Sequence, residues 1–476
     1  MVNMKYKISI ILLIIITIPI CICYNNLYND TKVVVHQHLE YPKETKCDSD
    51  SFCTHLPIIS IDTYNQEIPG SLTDNNTISS NIKLYFDENG QTNLESKELF
   101  SEEALINYRG HTSLSFDKKG IKIEFINSKK EEKKVEILDM EKSSEWVLHG
   151  PFIDKTLLRN YMWYNISHEM MGSAPNIRFC ELFVNNEYKG VYLLVEAVTR
   201  GEHSRIKIDK YKKNSSTSSY ILKLDRGSLN DYKNIKTFSN YSLKHYQVLN
   251  IEYPGVKNLS SDLRDYIIDD FSKFEKSLYS YDYDSKKYGY EEFIDVYSFV
   301  DYFIINEFTQ NYDAGYLSTI IYKNNGGKFK MYVWDFNSAN NNYKIDLMEE
   351  QNFRFQHAPW FYMLLKDEEF TDKIIKRYKY LRKNVLSDEY LLKYIDETKN
   401  YLGSSIDRNY DVWGYTFDEK NGYLYPLDRN PKNYDEAINS YKDAILKRAK
   451  WMDENIDSLM QFASESKNKK NNESRR

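Results

Sequence analysis

The stretch Asn306–Asn340 reads NEFTQNYDAGYLSTIIYKNNGGKFKMYVWDFNSAN, and two aspartates in it, Asp313 and Asp335, stand 22 residues apart. Thr319-Ile320-Ile321-Tyr322 and Phe329–Trp334 are rich in β-branched and aromatic residues. Between them lies Asn324-Asn325-Gly326-Gly327, whose residue types tolerate positive φ, so the pattern predicts a β-hairpin. Asp313 falls in a polar loop after an amphipathic helix, and Asp335 leaves the second strand. The hairpin would bring both carboxylates to one cleft. Such a pair suits phosphoryl transfer, with one aspartate for the acceptor hydroxyl and one for magnesium held against phosphates. Spacing alone fits two ordinary loop aspartates better, so the rest of the chain has to decide.

At 476 residues the chain is long enough for two lobes with real cores. A hydrophobic fraction of 41% argues against global disorder, and a net charge of −6 gives no reason to expect nucleic acid as a partner. Tyrosine is abundant at 42 residues. Codon bias in an A/T-rich genome explains this more simply than an aromatic carbohydrate- or surface-binding role.

Lys5 and Lys7 precede an apolar run, Ile8–Cys23, broken by Pro19. This reads as a secretory signal peptide over residues 1–23, too short for a stable membrane span. An uncleaved signal anchor is the alternative. Residues 24–55 read as a polar leader in which Cys47 and Cys53 are expected to form a disulfide in an oxidising compartment. Cys180, flanked by Phe179 and Glu181-Leu182-Phe183, reads as a buried strand thiol. Asn29, Asn75, Asn165, Asn214, Asn240 and Asn258 stand in Asn-x-Ser/Thr acceptors, as in a secreted glycoprotein.

Residues 56–200 favour strands. Ile121, Ile123 and Phe125 alternate with Lys122 and Glu124. Phe183-Val184 and Val191–Val195 flank a turn containing Asn185, Asn186 and Gly190. One helix is predicted over Lys155–Met171, ended by Gly172. Residues 201–219 read as a polar insertion. Over 220–462 the chain predicts a strand at Tyr220–Leu224, helices near Ser260–Leu278 and Glu291–Thr309, the hairpin, and a helical end. There Ser387 is an expected N-cap, and Ile438, Tyr441, Ile445, Met452 and Ile456 share one helix face. Residues 463–476 form a charged tail.

Other segments carry weaker chemistry. Arg109-Gly110-His111-Thr112-Ser113 is a turn that can offer backbone N–H groups to phosphate, and Lys118, Lys119 and Lys122 follow it. Strand lysines are more often simply solvated. Arg159 suits a surface ion pair better than a cleft. His149 reads as packed or hydrogen-bonded, and no His/Cys spacing suggests zinc.

Taken in order, RGHTSLSFDKKGIKIEF, LHGPFIDKTLLRNYMWYNISHEMMG, APNIRFCELFVNNEYKGVYLLVEAV, the hairpin stretch and PWFYMLLKDEEF resemble the CotH family of bacterial spore-coat kinases and fungal surface proteins. The resemblance runs from Tyr108 to Trp413, about two thirds of the chain. It implies an α+β, bilobal, atypical protein-kinase-like fold with a strand-rich N-lobe and a mostly helical C-lobe. It implies ATP and Mg²⁺ as cofactors and Ser/Thr hydroxyls of a coat or surface protein as acceptors. Asp313 matches the family's catalytic aspartate and Asp335 its metal-binding aspartate. Arg109, Lys119 and Lys122 fall in the phosphate-side region. The chain departs from the family at His111-Thr112-Ser113, where Asn-Ser-Ser is usual. Asn337 replaces an aspartate after Trp-Asp-Phe, and Lys223 replaces a glutamate in the strand that retains Asp225. The expectation is a secreted, cell-surface or secretory-lumen kinase; the alternatives are a non-catalytic adhesin or pseudokinase on the same fold, and transfer of another nucleotide group.

Overall fold

The computed structural model describes residues 35–46, 52–70, 76–202, 205–228, 230–236, 238, 247–344 and 352–466. The expected signal peptide, Cys47, Asn29, Asn75, Asn240 and residues 467–476 lie outside them. Among the described residues, no helix is long and apolar enough to cross a membrane. The fold is α+β, as the family resemblance implied.

The first half closes into a seven-stranded barrel. Its strands are β1 (Ile58–Asp62), β2 (Ile78–Tyr85), β3 (Glu98–Arg109), β4 (Gly120–Phe125), β7 (Glu145–His149), β8 (Ile177–Val184) and β9 (Glu187–Glu196), with β5 (Val135–Ile137) and β6 (Met140–Ser143) as a side hairpin. The barrel order is β1-β2-β3-β4-β7-β9-β8, and β1 closes it by pairing parallel to β8. The β8–β9 hairpin turns at Asn185 and Asn186, whose φ values of 50° and 64° are the left-handed pair that a tight hairpin requires. In β4, Ile121, Ile123 and Phe125 are buried while Lys122 and Glu124 are half-exposed, as the alternation predicted.

A helix, α1 (Arg159–Met171), follows β7 and packs against β8. Its start falls later than the sequence pattern placed it. Asp154 accepts hydrogen bonds from the Thr156 N–H and hydroxyl and from the Arg159 N–H, and Leu157 takes φ 66°. The local turn made by Asp154 competes with the helix until residue 159. Gly172 ends the helix at φ 69°, donating to the His168 carbonyl at 2.8 Å.

Strands β10 (Arg200–Gly201) and β11 (Ile206–Lys207) form a short pair. A second sheet has the order β13-β12-β14-β15, from β12 (Tyr220–Arg226), β13 (Gln247–Tyr253), β14 (Thr319–Lys323) and β15 (Phe329–Tyr332). The last two are the expected hairpin, in register from Ile320↔Tyr332 to Lys323↔Phe329. Helices α2 (Ser261–Leu278) and α3 (Val296–Phe308) precede it. The Asp295 side chain caps α3, accepting the Ser298 N–H, so this helix starts later than the expected Glu291. The chain ends in α4 (Glu368–Leu381), α5 (Asp388–Leu402), α6 (Ser405–Trp413) and α7 (Tyr434–Asn455). Ser387 caps α5 as expected, accepting the Tyr390 N–H.

One continuous apolar core runs from the barrel into the helices. Part of the expected polar leader belongs to it, which corrects that reading. Gln37, His38 and Tyr41 are buried. The Gln37 amide accepts the Phe179 N–H at 2.6 Å and donates to the Phe179 carbonyl at 3.1 Å. One glutamine side chain thus completes a strand's hydrogen bonding, a role that composition does not announce. Cys53 is disulfide-bonded. Cys180 is a free, buried thiol whose pKa burial drives upward. Asn165 is also buried, donating to the Tyr394 hydroxyl at 2.8 Å, so its acceptor motif is closed to modification in the folded chain.

Candidate active site

A cleft of about 290 Å³ opens between the outer face of the barrel, α1 and the second sheet. Arg109 and the turn after it come from β3, His149 from β7, and Asn160 and Tyr164 from α1. Lys223, Asp225 and Arg226 come from β12; Asp313 follows α3, and Asp335 follows β15.

Asp335 is held on every side of its backbone. It takes φ 60°, a left-handed value uncommon outside glycine and best tolerated by Asn, Asp and His. Its N–H donates to the Tyr164 hydroxyl at 3.0 Å, and its carbonyl accepts from the Asn311 amide at 2.9 Å. The next N–H, of Phe336, donates to Asn160 Oδ1 at 2.7 Å. Asn160 Nδ2 in turn donates to Asn337 Oδ1 at 3.1 Å. Phe336 is buried against Tyr164 and anchors the loop. The Asp335 carboxylate accepts the Asn337 N–H through Oδ1 at 3.2 Å.

Asp313 sits in a turn whose carbonyl accepts the N–H groups of Leu317 and Tyr316. Burial, with the like charge of Asp335, raises its pKa to about 6, against the pull of Arg226 and Arg354. A carboxylate so poised is a suitable base near neutral pH. Burial also works against the charge of Asp225, but the Lys223 ammonium at 2.7 Å, the Arg226 N–H and His111 hold its pKa below the ordinary value. Arg354 stacks on Tyr312 and braces the Asp313 loop by donating to the Asn311 carbonyl.

The roof is the turn Arg109–Ser113. Gly110 has φ 114°, and a Cβ there would fall 1.8 Å from Ser113 Oγ, so only glycine fits. The Arg109 guanidinium lies 5.7 Å from the centre of the Trp334 ring. Burial lowers its pKa, and the charges of Asp335 and Asp225 oppose that shift. His149, whose pKa burial also lowers, lies near Asp335 and hydrogen-bonds Asn337.

Arg109, Asp313 and Asp335 therefore meet in one cleft, whereas Lys119 and Lys122 do not line it. Lys119 donates to the Phe116 carbonyl and lines a different cavity. Lys122 lies on the outer face of β4, paired with Glu124. The cations at the cleft are instead Arg109, Lys223, Arg226 and Lys344. Arg159 is not the surface residue expected: it is buried and bonded to Asp154 at 2.5 Å and to the Ala339 carbonyl at 2.9 Å. Asn160 and Tyr164 were missed. Their only sequence signal is a polar residue on an otherwise buried helix.

Among the described residues, no cluster of three or more His, Cys, Asp or Glu side chains forms a metal cage. Magnesium bound through nucleotide phosphates keeps its waters and needs only one or two carboxylates. Asp335, with Asp313 and the amide of Asn337 in the same cleft, fits that mode.

Among curated proteins, none matches the chain. A family model described as CotH kinase protein matches residues 106–452.

Proposed function

The chain belongs to the CotH kinase family, and from that premise we propose that it moves the γ-phosphoryl group of ATP to a Ser or Thr hydroxyl of a coat or surface protein. The observation that carries the reading is the pairing of a half-buried Asp313, its pKa raised to about 6, with an Asp335 clamped in a left-handed conformation at the same cleft.

In this reading Asp313 accepts the proton of the acceptor hydroxyl as its oxygen bonds to the γ-phosphorus and the bond to the ADP oxygen breaks. Asp335 holds the cation side of the phosphates, oriented by Tyr164 and Asn160. When bound, Mg²⁺ supplies neutralisation of phosphate charge. Arg109 and Arg226 complement the same charge, and the Gly110 turn offers backbone N–H groups. The apolar amino-terminal run supports a secretory destination.

Purified chain is incubated with labelled ATP and Mg²⁺, with and without added protein acceptors. Transfer to a Ser or Thr, abolished in Asp335→Ala, supports the proposal. No transfer to any protein, itself included, or equal labelling by Asp335→Ala, rejects it. Mass spectrometry separates a phosphoryl from a nucleotidyl adduct. A non-catalytic surface protein is the second reading, favoured by Asn337, whose amide oxygen already accepts from Asn160. Absence of a Mg²⁺-dependent thermal shift with ATP would select it.

A further inference from the structure

A smaller cavity of about 110 Å³ adjoins the cleft, with Ile153 and Tyr423 as the wall common to both. Four stretches of chain build it: the turn before α1, the start of α1, the loop after Asp335, and the segment leading into α7. Asn342 ties this wall to the cleft. Its amide donates to the Asn337 carbonyl at 2.7 Å and to the Ile153 carbonyl at 3.3 Å.

The charges in the lining have one sign. Lys155, Arg159 and Arg429 contribute to it, and no aspartate or glutamate does. Arg159 is offset by its ion pair with the buried Asp154 behind the wall. Arg429 is fixed by donating to the Asn341 carbonyl and Oδ1, at 2.8 Å and 2.7 Å, and to the Tyr425 carbonyl at 2.6 Å. Lys155 Nζ donates to the Phe152 carbonyl at 2.8 Å and lies 4.7 Å from the centre of that ring. Among the described residues, no carboxylate forms an ion pair with it. Burial lowers its pKa to about 8, against the pull of Asp154, so it stays mostly protonated at neutral pH. The pocket is therefore positive even with Asp154 counted. A water occupies ~30 Å³ in the liquid, so there is room for a carboxylate or phosphate group.

Position decides which anion reaches it. Burial and then the charge of Asp313 raise the pKa of Tyr423, so this shared wall stands beside Asp313. Arg109 and His149 instead feel the charge of Asp335. The pocket thus adjoins the side of the cleft where Asp313 would take the acceptor's proton, away from the side where Asp335 would face the nucleotide phosphates.

We propose that this pocket binds an anionic side chain of the protein acceptor, a carboxylate or a phosphate, close in sequence to the Ser or Thr that receives the phosphoryl group. The proposal rests on the phosphotransfer reading of the neighbouring cleft.

The test is equilibrium binding of fluorescent peptides to the full chain, read by anisotropy. Each peptide carries a central Ser in an Ala-Gly background and one Asp or one phosphoserine, moved through the flanking positions in turn. One or two positions should bind ~10-fold tighter than the uncharged parent, and Arg429→Gln and Lys155→Met should each remove most of that gain. The Asp and phosphoserine arms separate the two anions. With ATP and Mg²⁺ added, kcat/KM should rise at the same positions. The proposal is overturned if no position binds tighter, if every position gains equally, or if the gain survives both substitutions. It is also overturned if ADP abolishes the gain, since the pocket would then hold nucleotide phosphates. A positional gain in binding without transfer to any peptide supports the anion pocket and rejects phosphotransfer.

Discussion

The hydroxyl of Tyr164 accepts the backbone N–H of Asp335 at 3.0 Å, tying the first helix to the loop after the second hairpin strand across 171 residues of sequence. Asn160, one turn earlier on the same helix face, accepts the Phe336 N–H. The helix thereby sets the direction of the Asp335 carboxylate. Tyr164→Phe removes one acceptor and should lower stability by ~1 kcal/mol. Asn160→Ala should raise the KM for ATP and lower kcat together, because two contacts to the loop disappear. Melting curves with steady-state kinetics separate these effects.

Replacing Asp313 should act on the chemical step and not on nucleotide binding. Asp313→Asn is expected to lower kcat by ~10²–10⁴-fold, the range for loss of a positioned base, with the ATP-induced thermal shift retained. Loss of nucleotide binding in this variant would place Asp313 on the metal side instead.

The pH dependence follows from the sign of the Asp313 shift. Its folded pKa is raised to about 6, so the protonated form stabilises the fold, and that contribution is lost as pH rises through about 6. Activity runs the other way, increasing as the carboxylate ionises over the same interval. Asp313→Asn should therefore melt at a higher temperature than wild type at pH 8, with little difference at pH 4.

The helical half depends on a buried pair. Arg448 and Glu307 lie 2.5 Å apart, both buried, and Glu307 also accepts the N–H groups of Arg354 and Phe355. Arg448→Met should destabilise the fold by ~3–5 kcal/mol, because it leaves a buried carboxylate without its cation. Denaturant titration measures this directly.

Glycosylation should follow burial rather than motif. When the chain passes through a eukaryotic secretory route, mass spectrometry should find Asn165 unmodified, because it is enclosed in α1 against Tyr394. Asn214 and Asn258 are exposed and open to occupancy.

Much of the local structure was legible because it depends on near neighbours. The period of β4, the Asn185-Asn186 turn, the cap at Ser387 and the Asn324–Gly327 hairpin each rest on contacts within a few residues. Boundaries were missed where a side chain competes with the backbone, as Asp154 does before α1. The leader was misread because Gln37 draws its partners from Phe179, 142 residues away.

The same division holds at the cleft. The sequence by itself determined that Asp313 and Asp335 flank a hairpin, since turn chemistry and strand propensity are local and the ordered motifs identify the family. Only the tertiary structure decided which cations accompany them. Barrel closure places Arg109, at the end of β3, on the cleft and Lys119, just before β4, on a different cavity, while Lys122 on the outer face of β4 pairs with Glu124. Lys223 and Arg226 reach the cleft from β12, which pairs with β14 almost a hundred residues later. Facing and pairing of that kind arise from the packing of distant strands, and the order of residues along the chain does not encode it locally.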